Sequence, residues 1–78
     1  MLNTNNEMKK VNTLETGAIL KEQRIQHKYE RADIAKKLGV SVQAIYKWEH
    51  GQCLPTVENL INLADIYDTT LIDLISIA

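Results

Sequence analysis

Residues 34–55 read IAKKLGVSVQAIYKWEHGQCLP, and this stretch decides the fold. Apolar residues recur at helical spacing over about 31–38, which predicts a short amphipathic helix. Gly39 is expected to end it, because glycine adopts a left-handed conformation without steric cost. Ser41 is a favourable N-cap for a further helix over about 42–49. The stretch therefore predicts two short helices joined by a tight turn.

Helical patterns also occur on both sides of this stretch. A helix is predicted over about 16–27, with Leu20 and Arg24 on one side. Beyond a loop at 52–55, Thr56 can cap a fourth helix. Its apolar residues follow helical spacing: Val57, Leu60, Ile61, Ala64 and Tyr67. Thr70 with Asp73 resembles a capping box, which predicts a fifth helix to about residue 75.

The chain is thus predicted to be all-α, a compact bundle of five short helices in a single domain over residues 15–78. Residues 1–14 are rich in Asn and Thr and show little periodicity, so we expect a flexible N-terminal arm. A chain of 78 residues has no room for a second core. The lone Cys53 excludes an internal disulfide and fits a reducing compartment. With no membrane-spanning run and no signal peptide, a soluble cytoplasmic protein is expected.

Charge is distributed unevenly along the chain, although the net charge is only -1. Residues 17–51 carry seven Lys or Arg against four acidic residues, a balance of +3. Residues 52–78 carry four acidic residues and neither Lys nor Arg, a balance of -4. Local charge governs where a polyanion binds. The charge balance therefore favours contact between DNA and the first half of the chain, and a role other than DNA contact for the second half.

The third predicted helix has two distinct faces when residues are placed about 100° apart. One face suits packing and comprises Ala44, Ile45, Trp48 and Glu49. The other comprises Val42, Gln43, Tyr46, Lys47 and His50. These side chains suit a DNA major groove, because an amide can pair with adenine, an ammonium with guanine or phosphate, and an isopropyl group with a thymine methyl. A solvated helix face is the alternative, and the preceding helix and glycine turn favour DNA.

Glu49 lies at the border of the packing face, where an unpaired carboxylate would be costly. Arg24 on the first helix is the natural partner, because a guanidinium binds a carboxylate in bidentate fashion. We expect this salt bridge to join the first and third helices, and it can also direct Arg24 toward a backbone phosphate.

At these residues the sequence resembles the lambda-repressor-like (Xre, or Cro/CI) helix-turn-helix family. The resemblance covers about residues 17–75. It is carried by Ile34-Ala35, Leu38-Gly39-Val40-Ser41, Ile45, Trp48-Glu49, Gly51, Leu54-Pro55, Glu58, Leu60, Leu63-Ala64, Leu71 and Asp73-Leu74.

The resemblance implies a five-helix bundle that binds operator DNA with the third helix. It implies base-reading positions at Val42, Gln43, Ala44, Tyr46 and Lys47. It further implies phosphate contacts at Arg31, His50, Gly51 and Gln52, and a structural salt bridge between Arg24 and Glu49.

The sequence departs from the family pattern at three places. Where the family usually opens the second helix with Thr or Ser and then Gln, this chain has Glu30 and then Arg31. Glu30 would repel phosphate, and Arg31 could compensate with its charge. The loop after the third helix lacks the usual Lys or Arg at Gln52 and Cys53, so weak, salt-sensitive DNA binding is expected. Asp68 replaces a glycine between the fourth and fifth helices, where Asp tolerates turn geometry.

The C-terminal residues carry more apolar surface than a small monomer can bury. If the fifth helix continues, its Leu and Ile side chains cover about 220°, whereas a surface helix needs a stripe of about 100° or somewhat more. We expect a homodimer contact at Ile72, Ile75 and Ile77, with a loosely folded tail as the alternative. Such a dimer would bind an inverted-repeat operator.

The predicted function is a sequence-specific double-stranded DNA-binding transcriptional regulator, a repressor of bacterial or phage type. The chain has no catalytic carboxylate pair, nucleophile triad or phosphate-binding glycine loop, so no enzyme or cofactor is predicted. His50 and Cys53 alone do not make a metal site. The rival hypothesis is a protein-interaction module on the same fold, such as an antitoxin or anti-repressor with a protein partner.

Overall fold

The computed structural model describes residues 8–77. Its helices are α1 (Thr13–Gln26), α2 (Arg31–Leu38), α3 (Val42–Glu49), α4 (Val57–Ile66) and α5 (Leu71–Leu74). Apart from one isolated bridge between Val11 and Ile77, the described residues form no β-structure. The all-α prediction of five short helices is confirmed, and the bounds predicted for α2 and α3 are correct.

The first helix begins three residues earlier than predicted. Asn12 is its N-cap, because the side-chain Oδ1 accepts a hydrogen bond from the Glu15 N–H at 2.9 Å. Thr13 and Leu14 of the expected arm therefore belong to α1. Residues 1–7 of that arm lie outside the described residues, and the arm stays a prediction.

The predicted turn and cap residues take the conformations assigned to them. Gly39 ends α2 with a φ of 70°, in the left-handed region. Ser41 and Thr56 cap α3 and α4 by accepting hydrogen bonds from backbone N–H groups three residues on. Asp68 adopts a φ of 51° between α4 and α5, so the glycine it replaces is not required there.

The C-terminal residues do not continue the fifth helix. Helix α5 ends at Leu74, and Ile75 is already extended. The Asn12 N–H donates to the Ser76 carbonyl at 2.6 Å, and the Ser76 N–H donates to Thr16 Oγ1 at 3.0 Å. These bonds satisfy the extended backbone, so the chain leaves the helical path and the expected 220° apolar arc does not form.

The change of path separates the three isoleucines expected at a dimer contact. Ile75 is half-buried and packs against the core. Ile72 and Ile77 remain exposed, at 73% and 52%. Only these two isoleucines are therefore available to a partner at this end of the molecule.

The core lies between all five helices and is built from aliphatic residues with one Trp and one Tyr. Its buried hydrophobic members are Leu20, Ile34, Ala35, Ile45, Trp48, Leu60, Leu63, Ala64, Tyr67 and Leu74. Because α2 and α4 each supply members of this one cluster, the short helices are held by shared packing rather than by helix propensity.

The predicted salt bridge between α1 and α3 is confirmed. Arg24 Nε donates to Glu49 Oε2 at 2.7 Å and Nη2 donates to Oε1 at 3.1 Å. Arg24 Nη1 donates to the Tyr29 carbonyl at 2.9 Å, so the buried guanidinium uses all three nitrogens inside the protein. The hydrogen bonds that Arg24 donates to the Glu49 carboxylate raise the pKa of Arg24. The structure does not support the expectation that Arg24 also reaches a phosphate, because the residue is buried and each of its three nitrogens donates a hydrogen bond within the protein.

Helices α1 and α3 approach closely at Gly17. A Cβ atom built on Gly17 would lie 2.8 Å from the Glu49 carbonyl oxygen and would also collide with the Trp48 carbonyl. Both obstacles are backbone atoms, which cannot move aside as a flexible side chain can. Gly17 is therefore required by the packing of the two helices.

We expect Gly17→Ala to destabilise the protein by about 1–3 kcal/mol, the usual cost of overpacking a core. Helix propensity alone would stabilise the protein by about 1 kcal/mol, so the two effects have opposite signs. Urea unfolding measures the difference directly. A variant more stable than the wild type would contradict the close approach of the backbones.

Tyr67 is the largest fully buried side chain of the core. Burial, and then the nearby Glu49 carboxylate, raise the pKa of its hydroxyl well above the ordinary value. Below pH ~10 the Tyr67 hydroxyl is protonated in both the folded and the unfolded chain, so the stability gained by burying the neutral side chain is fully present. Above pH ~10 the unfolded chain loses the proton while the folded chain keeps it, so stability falls as pH rises.

We expect the free energy of unfolding to fall by about 1 kcal/mol more in the wild type than in Tyr67→Phe between pH ~9 and ~11. Urea unfolding at several pH values provides the comparison. Tyr46→Phe is the matched control, since it removes the same hydroxyl group from an exposed ring. Equal slopes for Tyr67→Phe and the wild type would contradict the burial argument.

Candidate nucleic-acid interface

The two faces predicted for α3 are confirmed. Its inner side buries Ile45, Trp48 and Glu49. Its outer side exposes Val42, Gln43, Tyr46, Lys47 and His50. The inner residues fix the rotation of the helix about its axis, so the outer set is presented to solvent as one surface. We call this exposed set the α3 outer face.

Ala44 lies apart from the other positions that the family resemblance implies for base reading. It is half-buried and packs against the core cluster. Its methyl group is therefore shared between the packing side and the edge of the outer face, and its role in base reading stays a prediction.

Two aromatic rings of the outer face stack on each other. The Tyr46 and His50 ring centroids lie 3.8 Å apart, with an angle of 21° between the ring planes. His50 Nδ1 lies 2.9 Å from the Tyr46 carbonyl oxygen. The four-residue spacing of two aromatic side chains on one helix could have indicated this stack, because such residues are neighbours on the helix surface.

Arg31, at the start of α2, lies against the Tyr46 ring of this stack. Its guanidinium carbon is 5.3 Å from the centroid of Tyr46, within the range of a cation–π interaction. The structure thus brings Arg31, Tyr46 and His50 together, although the sequence separates Arg31 from them by 15 and 19 residues. We refer to these three side chains as the Arg31 stack.

Arg31 also shares the carboxylate that Arg24 binds. Arg31 Nε donates to Glu49 Oε1 at 2.9 Å, and the Glu49 side chain is only 2% exposed. This second ion pair was not predicted from the sequence. No local pattern indicates it, because Arg31 and Glu49 are 18 residues apart in the chain.

A surface hollow of about 440 Å³ opens beside the Arg31 stack. It is lined by Arg31, Val42, Gln43 and Tyr46. The hollow is open to solvent, so the edge of a planar group can reach its lining. The lining combines a cation, an amide and two apolar surfaces.

The other positions expected at DNA phosphates follow directly after α3. Gly51 has a φ of 70°, and a Cβ built on it would lie 2.7 Å from the Leu14 Cα. The amino end of α1 therefore packs directly against this loop. Gln52 and Cys53 are exposed, and the Gln52 N–H donates to the Lys47 carbonyl at 2.9 Å. The loop is thus tied to the carboxyl end of α3.

Glu30 is the N-cap residue of α2, as its position suggested. Its backbone N–H donates to Asp33 Oδ2 at 2.8 Å. This bond ties the residue before Arg31 to the first turn of the helix. Two acidic residues therefore lie near Arg31 at the start of α2, and the expected salt sensitivity of DNA binding stays a prediction.

No helix among the described residues is long and apolar enough to cross a membrane. Over the same part of the chain, no three side chains of His, Cys, Asp or Glu are grouped so as to hold a metal ion.

Comparison with known proteins finds a similar regulator and solved structures with the same fold. Over 44 residues the chain is 36% identical to the transcriptional repressor RstR of the cryptic phage CTXphi in Vibrio cholerae. That match covers 56% of this chain and 39% of the repressor. The chain therefore spans well under half of the curated relative that it matches.

Two solved structures share the fold. The DNA-binding domain of BldD superposes with a TM-score of 0.71 at 24% identity, over 83% of this chain and 94% of that domain. Apo-HppE superposes with a TM-score of 0.73 at 26% identity, over 86% of this chain but only 37% of HppE.

A family described as helix-turn-helix matches residues 20–74, which include the second half of α1 and all of α2 to α5. The resemblance inferred from the sequence is therefore confirmed. The chain belongs to the lambda-repressor-like helix-turn-helix family of DNA-binding transcriptional regulators.

Proposed function

We propose that this protein is a sequence-specific repressor that binds double-stranded operator DNA through the α3 outer face. The observation that carries this proposal is the exposure of five side chains on a helix whose opposite side is fixed by a buried carboxylate and a packed core. A helix held in this way can enter the major groove, where each base pair presents a distinct pattern of donors and acceptors.

The outer face supplies several kinds of base contact. Gln43 can bind adenine N6 and N7 through its amide, and Lys47 can donate to guanine O6 and N7. Val42 can contact a thymine methyl group. Tyr46 can reach a base edge or a phosphate. Ala44, the smallest of these residues, can contact a base from the edge of the face.

Phosphate contacts would come from the loop after α3 and from the start of α2. His50, Gly51 and Gln52 form the first group and follow the last turn of the reading helix. Arg31 supplies positive charge at the second place, where its terminal nitrogens can meet DNA. Because the loop itself carries no Lys or Arg, we expect modest affinity per subunit.

Modest affinity per subunit is compatible with useful binding if two subunits act together. We propose a homodimer on DNA that sets two reading helices about 34 Å apart over an inverted repeat. Ile72 and Ile77 are the exposed apolar residues available for its contact, with Ile75 supporting them from the core side. Linking two weak sites raises overall affinity through high effective concentration.

A repressor is favoured because the relative RstR is a transcriptional repressor. A repressor acts by occupying its operator and needs no catalytic group, so we propose no enzymatic activity for this domain. We place it in the cytoplasm, where bacterial or phage operators are found.

Double substitution of Gln43 and Lys47 by Ala is expected to weaken binding to the preferred duplex at least tenfold, because each base contact contributes about 1–3 kcal/mol. The preferred duplex is first selected from a random library with the wild type. Lys21→Ala is the matched control, since it removes one exposed positive charge from α1. Circular dichroism checks that each variant keeps its fold.

Enrichment of an inverted repeat, lost in the double variant but kept in the control, would support the proposal. Binding without sequence enrichment would mean phosphate contact only, and would contradict sequence-specific reading. No binding at low salt would contradict DNA binding, and a protein partner captured through the C-terminal residues would then favour the antitoxin or anti-repressor hypothesis.

Ile72→Asp combined with Ile77→Asp is expected to abolish the dimer, because each change places a charge in the proposed apolar contact. Sedimentation equilibrium, with and without the operator duplex, measures the association. Ile25→Asp is the control, since Ile25 is similarly exposed, at 55%, but lies on α1. A wild type that stays monomeric on a full operator would overturn the dimer proposal.

A further inference from the structure

We propose that Arg31 reads a base, and that together with Val42 it recognises a guanine next to a 5-methylpyrimidine. This inference rests on the proposed function, since it requires α3 to lie in the major groove. It changes the role that the family resemblance implies for Arg31, from a backbone contact to a specificity-determining contact supplied by α2.

Arg31 is held in place by its neighbours. Its Nε is bonded at 2.9 Å to a carboxylate oxygen of Glu49. Glu49 is itself held by Arg24 at 2.7 Å and is almost fully buried, so it cannot follow Arg31 outward. The guanidinium also rests on the Tyr46 ring. An arginine fixed at one end and over one face loses little conformational entropy when it binds a ligand.

The terminal Nη groups of Arg31 are the donors that remain for a ligand. Among the hydrogen bonds of the described residues, Arg31 uses only Nε, whereas Arg24 uses all three of its nitrogens. The Arg31 side chain is 30% exposed, so its end remains accessible. The two terminal Nη groups form a planar pair, which is the arrangement that bonds to guanine O6 and N7 together.

Arg31 lies beside the proposed base-reading surface. Arg31 lines the same hollow as Val42, Gln43 and Tyr46, which are positions of the proposed base-reading surface. A residue whose only role was to bind the DNA backbone would lie at the rim of that surface. Arg31 instead shares the lining of the hollow with three of those positions, and its guanidinium carbon lies 5.3 Å from the Tyr46 centroid. This position favours a base edge over a phosphate.

The apolar part of the hollow determines the neighbouring base. Val42 and Tyr46 are both exposed there, beside the guanidinium. The apolar group that a major groove presents is the methyl on C5 of a pyrimidine. Thymine carries it, and 5-methylcytosine carries the same group. The site is thus suited to a 5-methylpyrimidine adjoining a guanine.

Selection from a random duplex library distinguishes a base contact from a phosphate contact. Loss of a base contact relaxes the preference at one position, whereas loss of a phosphate contact weakens all sequences alike and lowers the salt dependence by about one ion. We expect Arg31→Ala to lose the guanine preference at one position per half-site, with at least fivefold weaker binding to the wild-type sequence. Arg31→Gln should move that preference toward adenine, because an amide pairs with adenine.

The methyl group is tested on the selected duplex. Replacing the thymine beside that guanine with deoxyuridine removes only the methyl, and we expect about fourfold weaker binding by the wild type. A cytosine at that position should bind more weakly than thymine, and 5-methylcytosine should restore the affinity. Val42→Ala should bind the thymine and deoxyuridine duplexes alike, which identifies Val42 as the contact.

Three results would overturn the inference while leaving the proposed function intact. They are a uniform loss of affinity in Arg31→Ala, a selected site without guanine at the affected position, or equal binding of thymine and deoxyuridine duplexes. Failure of the wild type to select any sequence would instead contradict the proposed function itself. Lys21→Ala controls for loss of charge, and thermal unfolding monitors the fold, which Arg24 should preserve by keeping Glu49 paired.

Discussion

The buried carboxylate of Glu49 is the group on which the structure depends. It accepts hydrogen bonds from Arg24 on α1 and Arg31 on α2, while itself belonging to α3. Removing one partner of a buried ion pair typically costs about 3–5 kcal/mol, because the other charge is left without compensation. That is a large share of the ~5–15 kcal/mol that stabilises an ordinary domain. Three helices of this small protein are thereby joined at one point, in addition to their shared hydrophobic packing.

The same carboxylate connects stability with recognition. On its inner side it fixes Arg24 and hence the approach of α1 to α3, where Gly17 leaves no room for a side chain. On its outer side it fixes Arg31, which rests on Tyr46, and Tyr46 in turn stacks on His50. The proposed DNA-reading surface is therefore ordered before DNA arrives. Preorganisation of this kind lowers the entropic cost of binding, which matters for a protein whose proposed phosphate-binding loop carries neither Lys nor Arg.

Most of the fold could be predicted from the sequence because local signals agree with one another. Gly39 and Ser41 fix the turn between α2 and α3, and periodic apolar residues assign the two faces of α3. Helix ends were less predictable where the decisive partner is distant. Asn12 starts α1 early, and the extended residues after Leu74 are held by Asn12 and Thr16, about 60 residues away in the sequence. Periodicity alone favoured a longer fifth helix, since it contains no information about such distant backbone bonds.

The sequence by itself determined an all-α domain, its reading helix, the family and the pairing of Arg24 with Glu49. Those features follow from side-chain periodicity, turn chemistry and the cost of an unpaired buried charge. Only the tertiary structure decided which residues share the carboxylate, because one acidic group can bond to two cations only when three helices converge on it. It likewise placed Arg31 over Tyr46 and separated Ile75 from Ile72 and Ile77. These outcomes depend on distances between residues far apart in the chain, and such distances are fixed only when the core packs.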